Sequence, residues 1–132
     1  MFELPPIDRT KLSEEAGRIP YLHGEYLQKL NVAYAKLKKT EFSYDVLYKG
    51  KWLYYLGKAS PDVYRENPLS IKVIRSDVGI FINADDDIIK LKTKLEGEKL
   101  VVKSLEEILK SISNRNWVIK SIVDWEKFQA GT

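Results

Sequence analysis

A chain of 132 residues is sized for one domain, and its 44% hydrophobic and 31% charged residues are the balance of a folded globular protein rather than a disordered one. With no cysteine it can have no disulfide, thiolate zinc site or thiol nucleophile, which suits a reducing cytoplasm. Net charge is a modest +3, and no apolar run approaches the length that spans a bilayer.

The start, MFELPPIDR, lacks a basic segment followed by an apolar one, so no signal peptide is expected. Residues 1–11 read as an arm, because Pro5-Pro6 cannot sit inside a helix. Ser13, Glu14, Glu15 and Ala16 mark a helix start with acids in its first turn, and Pro20 interrupts soon after. From about Tyr21 the residues Leu22, Tyr26, Leu30, Ala33 and Leu37 recur at helical spacing, and Val46, Leu53 and Leu56 continue it to Gly57, a suitable terminating residue. Residues 12–58 are thus the N-terminal helical region. Residues 59–82, with Pro61 and Pro68, form an irregular connector in which Ser70–Ile74 alternates like a short strand.

Residues 83–132 form a C-terminal helical region. Asn83 is expected to cap a helix whose first turn holds Asp85, Asp86 and Asp87. Three consecutive acids splay apart on a helix, so they predict dipole complementation rather than a metal site. Apolar residues at 88, 91, 95, 102, 105, 109 and 112 make a coiled-coil-like seam broken only by Glu98. Ser113 to Asn116 read as a turn before a last helix carrying Trp117, Val118, Ile122, Trp125 and Phe128. Val101 and Ile108 lie off the seam, so the long helix is apolar on two sides: one for the chain's own first helix, the other for a second subunit. The fold class is mainly α: long helices packed as a hairpin or bundle in a single domain, 1–132, with Leu95, Val102, Leu105, Leu109, Ile112, Trp117, Ile122, Trp125 and Phe128 as the oligomerisation set.

Enzyme chemistry finds no foothold. His23 is the only histidine and stands in YLHGEY, without a nucleophile elbow. No pair of carboxylates is spaced for acid–base work, and neither a cofactor motif nor a metal-ligand pattern is present.

The densest signal is residues 47–58, LYKGKWLYYLGK, where Lys49, Lys51 and Lys58 are threaded through Tyr48, Trp52, Tyr54 and Tyr55. It is no phosphate-binding loop: six residues separate Gly50 from Gly57, and Ala59 follows Lys58. The surrounding stretch from Gln28 to Ser60 holds seven lysines against Glu41 and Asp45, a local basic excess that points to an anionic partner. On a helix Lys49 and Lys51 diverge by about 160° at ~100° per residue, so they cannot grip one compact phosphate together. They suit an extended polyanion, with single-stranded nucleic acid offering bases for the rings. The other readings are an ordinary amphipathic helix with its rings in a core, a membrane-surface helix or a ring-forming structural protein.

The segment resembles the basic-small-basic-apolar-x-Tyr-Tyr-x-Gly motif of the UvsY family, recombination mediators of T-even-type phages. Downstream, Ser76 with an acid, Ala84-Asp85-x-Asp87, Lys90-x-x-Thr93, Lys110, Ser113, Arg115, Ile119-Lys120, Asp124 and Phe128-x-Ala-Gly follow in the family's order without a gap. The chain departs from the pattern in having lysine at 51 for arginine, Gly50 for alanine, Trp52-Leu53 for leucine then aspartate, and Leu56 for a small polar residue. The resemblance implies a non-catalytic mediator, without cofactor, working in the cytoplasm of the infected bacterium and not on a membrane. It implies single-stranded DNA bound by Lys49 and Lys51; Trp52, Tyr54, Tyr55 and Lys58 of the same stretch complete the candidate site on the residue reading above. It also implies a homo-oligomeric ring or open barrel of about six or seven subunits. The partners implied are a UvsX-type recombinase, which the protein helps to load, and the phage single-strand-binding protein.

Overall fold

The structure, a computed structural model, describes residues 3–131; Met1, Phe2 and Thr132 lie outside the described residues. Two long helices dominate: α1 (Leu12–Tyr55) and α4 (Asp86–Gln129), with the short helices α2 (Pro61–Glu66) and α3 (Val78–Asn83) between them. A single 3-10 turn, Arg75–Asp77, leads into α3. No helix among the described residues is long and apolar enough to cross a membrane.

The described residues fall into two compact units, one made of those up to Ala35 together with those from Leu100 onward, the other of Lys36–Lys99. In the first unit, Ile19, Leu22, Tyr26 and Leu30 of α1 and Val102, Leu105, Ile112 and Ile119 of α4 are the buried apolar residues. The helices run antiparallel there, since Glu15 meets Arg115 while Tyr34 donates to Glu106. The N-terminal arm is irregular, as Pro5-Pro6 require, and Arg115 donates to the Pro5 carbonyl.

In the second unit Val78, Ile82 and Ile88 form the buried centre, with Tyr48, Trp52, Tyr55 and Leu56 of the lysine-aromatic stretch packed against it. Each fully buried aliphatic side chain contributes about 1.5–3 kcal/mol. The apolar pair at 78 and 82, one helical turn apart, is what folds α3 onto the core.

Four expectations are corrected. Pro20 lies inside α1 without ending it; the flanking Ile19 and Leu22 are both buried, and their packing offsets the hydrogen bond that proline cannot donate. Ser70–Ile74 is not a strand, and no strand occurs among the described residues; the connector instead starts α2 with Pro61 at its first position, where the missing N–H costs nothing. Asn83 ends α3 rather than capping α4. Ser113–Asn116 is no turn but continuous α4. No Gly or Pro breaks the backbone there, and the seam runs on through Ile112, Arg115 and Ile119, all buried.

Gly57 ends α1 as its sequence position suggests. Its φ of 77° is left-handed, and the Gly57 and Lys58 amides donate to the carbonyls of Tyr54 (3.1 Å) and Leu53 (2.9 Å), a Schellman closure.

Candidate nucleic-acid interface

The lysine-aromatic stretch occupies the last turns of α1 and the bend after it. Tyr48 and Trp52 are one turn apart and stack at 6.3 Å on the side that faces Val78, Ile82 and Ile88. Tyr54 stacks on Tyr64 of α2 (5.4 Å), meets Tyr55 edge-on (5.0 Å) and donates its hydroxyl to the Asn67 carbonyl. The Tyr64 hydroxyl in turn donates to the Tyr54 carbonyl at 2.7 Å and accepts from the Ala59 amide. These hydrogen bonds pair the Ala59 amide and the Asn67 carbonyl, and they give the Tyr54 carbonyl a second donor beside the Gly57 amide. Trp52, Tyr54 and Tyr55 are therefore all half-buried and engaged within the chain.

The three lysines have different surroundings. Lys49 and Lys58 are exposed and carry no ion pair among the described residues. Lys51 is half-buried; its ammonium lies 3.2 Å from Asp85 and 2.8 Å from Asp87 and 5.8 Å from the Tyr54 ring centre. It lines an open depression of ≈ 730 Å³ with Gly50, Tyr54, Val63 and Asn67. The structure thus separates the motif's two cations, one free and one held by carboxylates.

Asp85 is the hub. One carboxylate oxygen accepts from the amides of Asp87 (2.9 Å) and Ile88 (3.3 Å), which makes it the N-cap of α4. The other accepts from the Tyr55 hydroxyl at 2.7 Å and pairs with Lys51. Burial pushes the Asp85 carboxyl up, but the Tyr55 and Lys51 hydrogen bonds outweigh it and hold it below the usual carboxylate value. Burial pulls Lys51 down, yet its bonds to Asp87 and Asp85 outweigh that and hold the ammonium above an ordinary lysine. Tyr55 is pushed up by burial first and by donating to Asp85 second. Asp85 and Tyr64 were missed as site-building residues by sequence reasoning. Asn83 and Asp85 are equally good caps by residue type; the signal that separates them is the distance to Ile88, which fits the third helical position only if Asp85 is the cap.

The oligomerisation set divides by burial. Leu95, Val102, Leu105 and Ile112 are buried within the chain's own units. Leu109 and Ile122 are half-buried. Trp117, Trp125 and Phe128 are 67%, 54% and 75% exposed, and at ~100° per residue they share a face of α4 about 80° wide.

Three comparisons bear on what this arrangement is. A family model described as the recombination, repair and single-stranded-DNA-binding protein UvsY matches residues 5–132. The recombination protein uvsY of Enterobacteria phage T4 is 27% identical over 125 residues, 95% of this chain and 88% of the relative. Two crystal structures of the bacteriophage T4 recombination mediator protein UvsY, from different lattices, are also similar. One superimposes with a TM-score of 0.83 at 26% identity over 94% of this chain and 91% of that one. The other gives 0.79 at 26% identity over 95% and 88%.

Proposed function

The chain belongs to the UvsY family, and from that premise we propose that it is a phage recombination mediator that binds single-stranded DNA as a homo-oligomer. In this reading it helps a UvsX-type recombinase load against the phage single-strand-binding protein, in the cytoplasm of the infected host. It acts through binding and not through a catalytic step of its own. The observation that carries the reading is the match from residue 5 to 132, which includes the Lys49–Lys51 motif in a family described by single-strand binding.

Weak contacts make the oligomer necessary. Each phosphate contact on a single strand contributes a salt slope of about −0.7 and is readily screened. The motif of one chain offers two lysines without an ion pair among the described residues, Lys49 and Lys58, so repeating the patch around a closed assembly raises its effective concentration along one strand. The exposed Trp117, Trp125 and Phe128 supply an apolar stripe that a second copy can cover.

Fluorescence anisotropy with labelled single-stranded DNA at two salt concentrations, beside light scattering for mass, tests this. Lys49→Ala with Lys51→Ala is expected to weaken binding and flatten the salt slope while the assembly keeps its mass. Trp125→Ser with Phe128→Ser is expected to lower the mass. An intact assembly that ignores the strand in dilute buffer would leave only a ring-forming phage structural protein.

A further inference from the structure

Six aromatic residues lie on the part of α1 within the second unit: Phe42, Tyr44, Tyr48, Trp52, Tyr54 and Tyr55. Five have ring partners: Tyr44 with Tyr48, Tyr48 with Trp52, and Tyr54 with Tyr55. Phe42 has none among the described residues and is 68% exposed, as is its neighbour one turn on, Val46, at 73%. The motif's own rings are committed to the fold, whereas this ring is held out to solvent.

Phe42 shares its face with cations. At ~100° per residue, Lys39, Phe42, Val46, Lys49 and Leu53 fall within an arc of about 80°, and Lys51 lies about 160° from Lys49 on the side of Asp85. The Lys39 ammonium, like that of Lys49, has no ion pair among the described residues, while neighbouring Lys38 is held by Glu41 at 3.1 Å. An open groove of ≈ 480 Å³ runs along this face, lined by Lys39, Phe42, Ser43, Val46 and Leu47. Asp45 borders the face and keeps its net charge low, in keeping with a patch that acts only in repeated copies.

We infer that the α1 face formed by Lys39, Phe42, Val46 and Lys49 is a single-strand contact surface beside that of Lys51, with Phe42 as the ring on which a base stacks. The inference rests on the single-strand-binding reading above and deepens it. Lys39 and Lys49 are ~15 Å apart along the helix axis, on the order of four stacked nucleotides at ~3.4 Å each. The ring lies between the two ammoniums, so a backbone following both would lay a base on it. A second copy of the chain is the other candidate occupant. Subunit interfaces are depleted of lysine at their centres, and a two-fold contact here would set Lys39 and Lys49 against their own copies. Both considerations favour the polyanion.

The test uses the whole chain, with oligothymidylate and an abasic strand of equal length as probes. Phe42→Ala is expected to weaken oligothymidylate binding about tenfold and to remove most of the preference over the abasic strand, with mass unchanged by light scattering. Phe42→Trp keeps both. Lys39→Ala is expected to reduce the salt slope by about 0.7 per chain engaged. Binding by Phe42→Ala equal to that of the unaltered chain, while Lys49→Ala binds less, would overturn this inference and leave the functional reading standing. A loss of mass in Phe42→Ala would make the face a subunit contact and overturn it likewise. Failure of the unaltered chain to bind oligothymidylate at low salt would overturn both.

Discussion

Each unit places a basic residue against carboxylates, and the two do different work. In the first, Arg115 reaches Glu15 at 3.6 Å, with both side chains 9% exposed, and donates to the Pro5 carbonyl. In the second, Lys51 has one partner whose side chain is 8% exposed, Asp85, and one at 67%, Asp87. A cation enclosed with its counter-ion is part of the architecture, because separating the pair would strand a charge in a dry site. A cation with one buried and one solvated partner is only conditionally engaged. Lys49, with no ion-pair partner among the described residues, is wholly available. The gradient from Arg115 through Lys51 to Lys49 is one of counter-ion burial, not of residue type.

Breaking the enclosed pair should have the largest effect. Arg115→Ala strands Glu15, and leaving one member of a buried pair without its partner costs about 3–5 kcal/mol. Arg18 stays 3.6 Å from Glu15 on the solvent side, so the lower end is expected, a fall in Tm of about 10 °C. Glu15→Met combined with Arg115→Met removes both charges and should recover most of the loss in a thermal melt. If the double variant is no more stable than the single one, the pair is not what holds this site.

Removing the hub of the second unit comes next. Asp85→Ala deletes the α4 cap, worth about 0.5–2 kcal/mol, and leaves Tyr55 and Lys51 without their shared acceptor. Asp85→Asn keeps an acceptor for the α4 amides and should be milder. The pH dependence distinguishes charge from shape. The Asp85 carboxyl is held below its ordinary 3.8, so its stabilisation is fully present above that value and is lost as pH falls through the lowered one. Lys51 is held above its ordinary 10.5, so its share is present below that value and lost as pH rises through the raised one. Urea melts of the unaltered chain should lose stability below about pH 4, and those of Asp85→Asn should lose less. Parallel curves would mean that Asp85 acts as a neutral cap.

Much of this was legible in the sequence, and the failures share a cause. Helix class, the Gly57 stop and the 3,4-spaced seam were readable because they depend on local backbone freedom and on periodicity. The seam could not be apportioned between fold and assembly: Leu105 and Trp117 are equally apolar, and only the tertiary partner leaves one buried and the other exposed. Arg115 reads as a turn residue in the sequence because a charge in a seam looks like a break until Glu15 is seen facing it. Glu98, the visible gap in the seam, is a true exception, buried with neither carboxylate oxygen hydrogen-bonded among the described residues. At the motif the spacing established that Lys49 and Lys51 diverge. It could not reveal that one of them meets Asp85 and Asp87, more than thirty residues away in sequence.

The smallest expected effect is the most informative about function. Asp87 is exposed and 2.8 Å from Lys51, so its carboxylate competes with any phosphate that approaches that ammonium. Asp87→Asn leaves Asp85 in place and keeps Lys51 half-engaged, while removing the competitor that solvent can reach. It also removes a favourable charge from the first turn of α4, at a cost of about 0.3–1 kcal/mol in stability. Affinity for single-stranded DNA should nevertheless rise by a few-fold at low salt, with a salt slope steeper by up to about 0.7 per chain. That pairing of a less stable protein with a tighter complex is what a conditionally engaged cation requires. An affinity that stays level or falls would class Lys51 with Arg115 as architecture, and leave Lys49 to contact the strand without it.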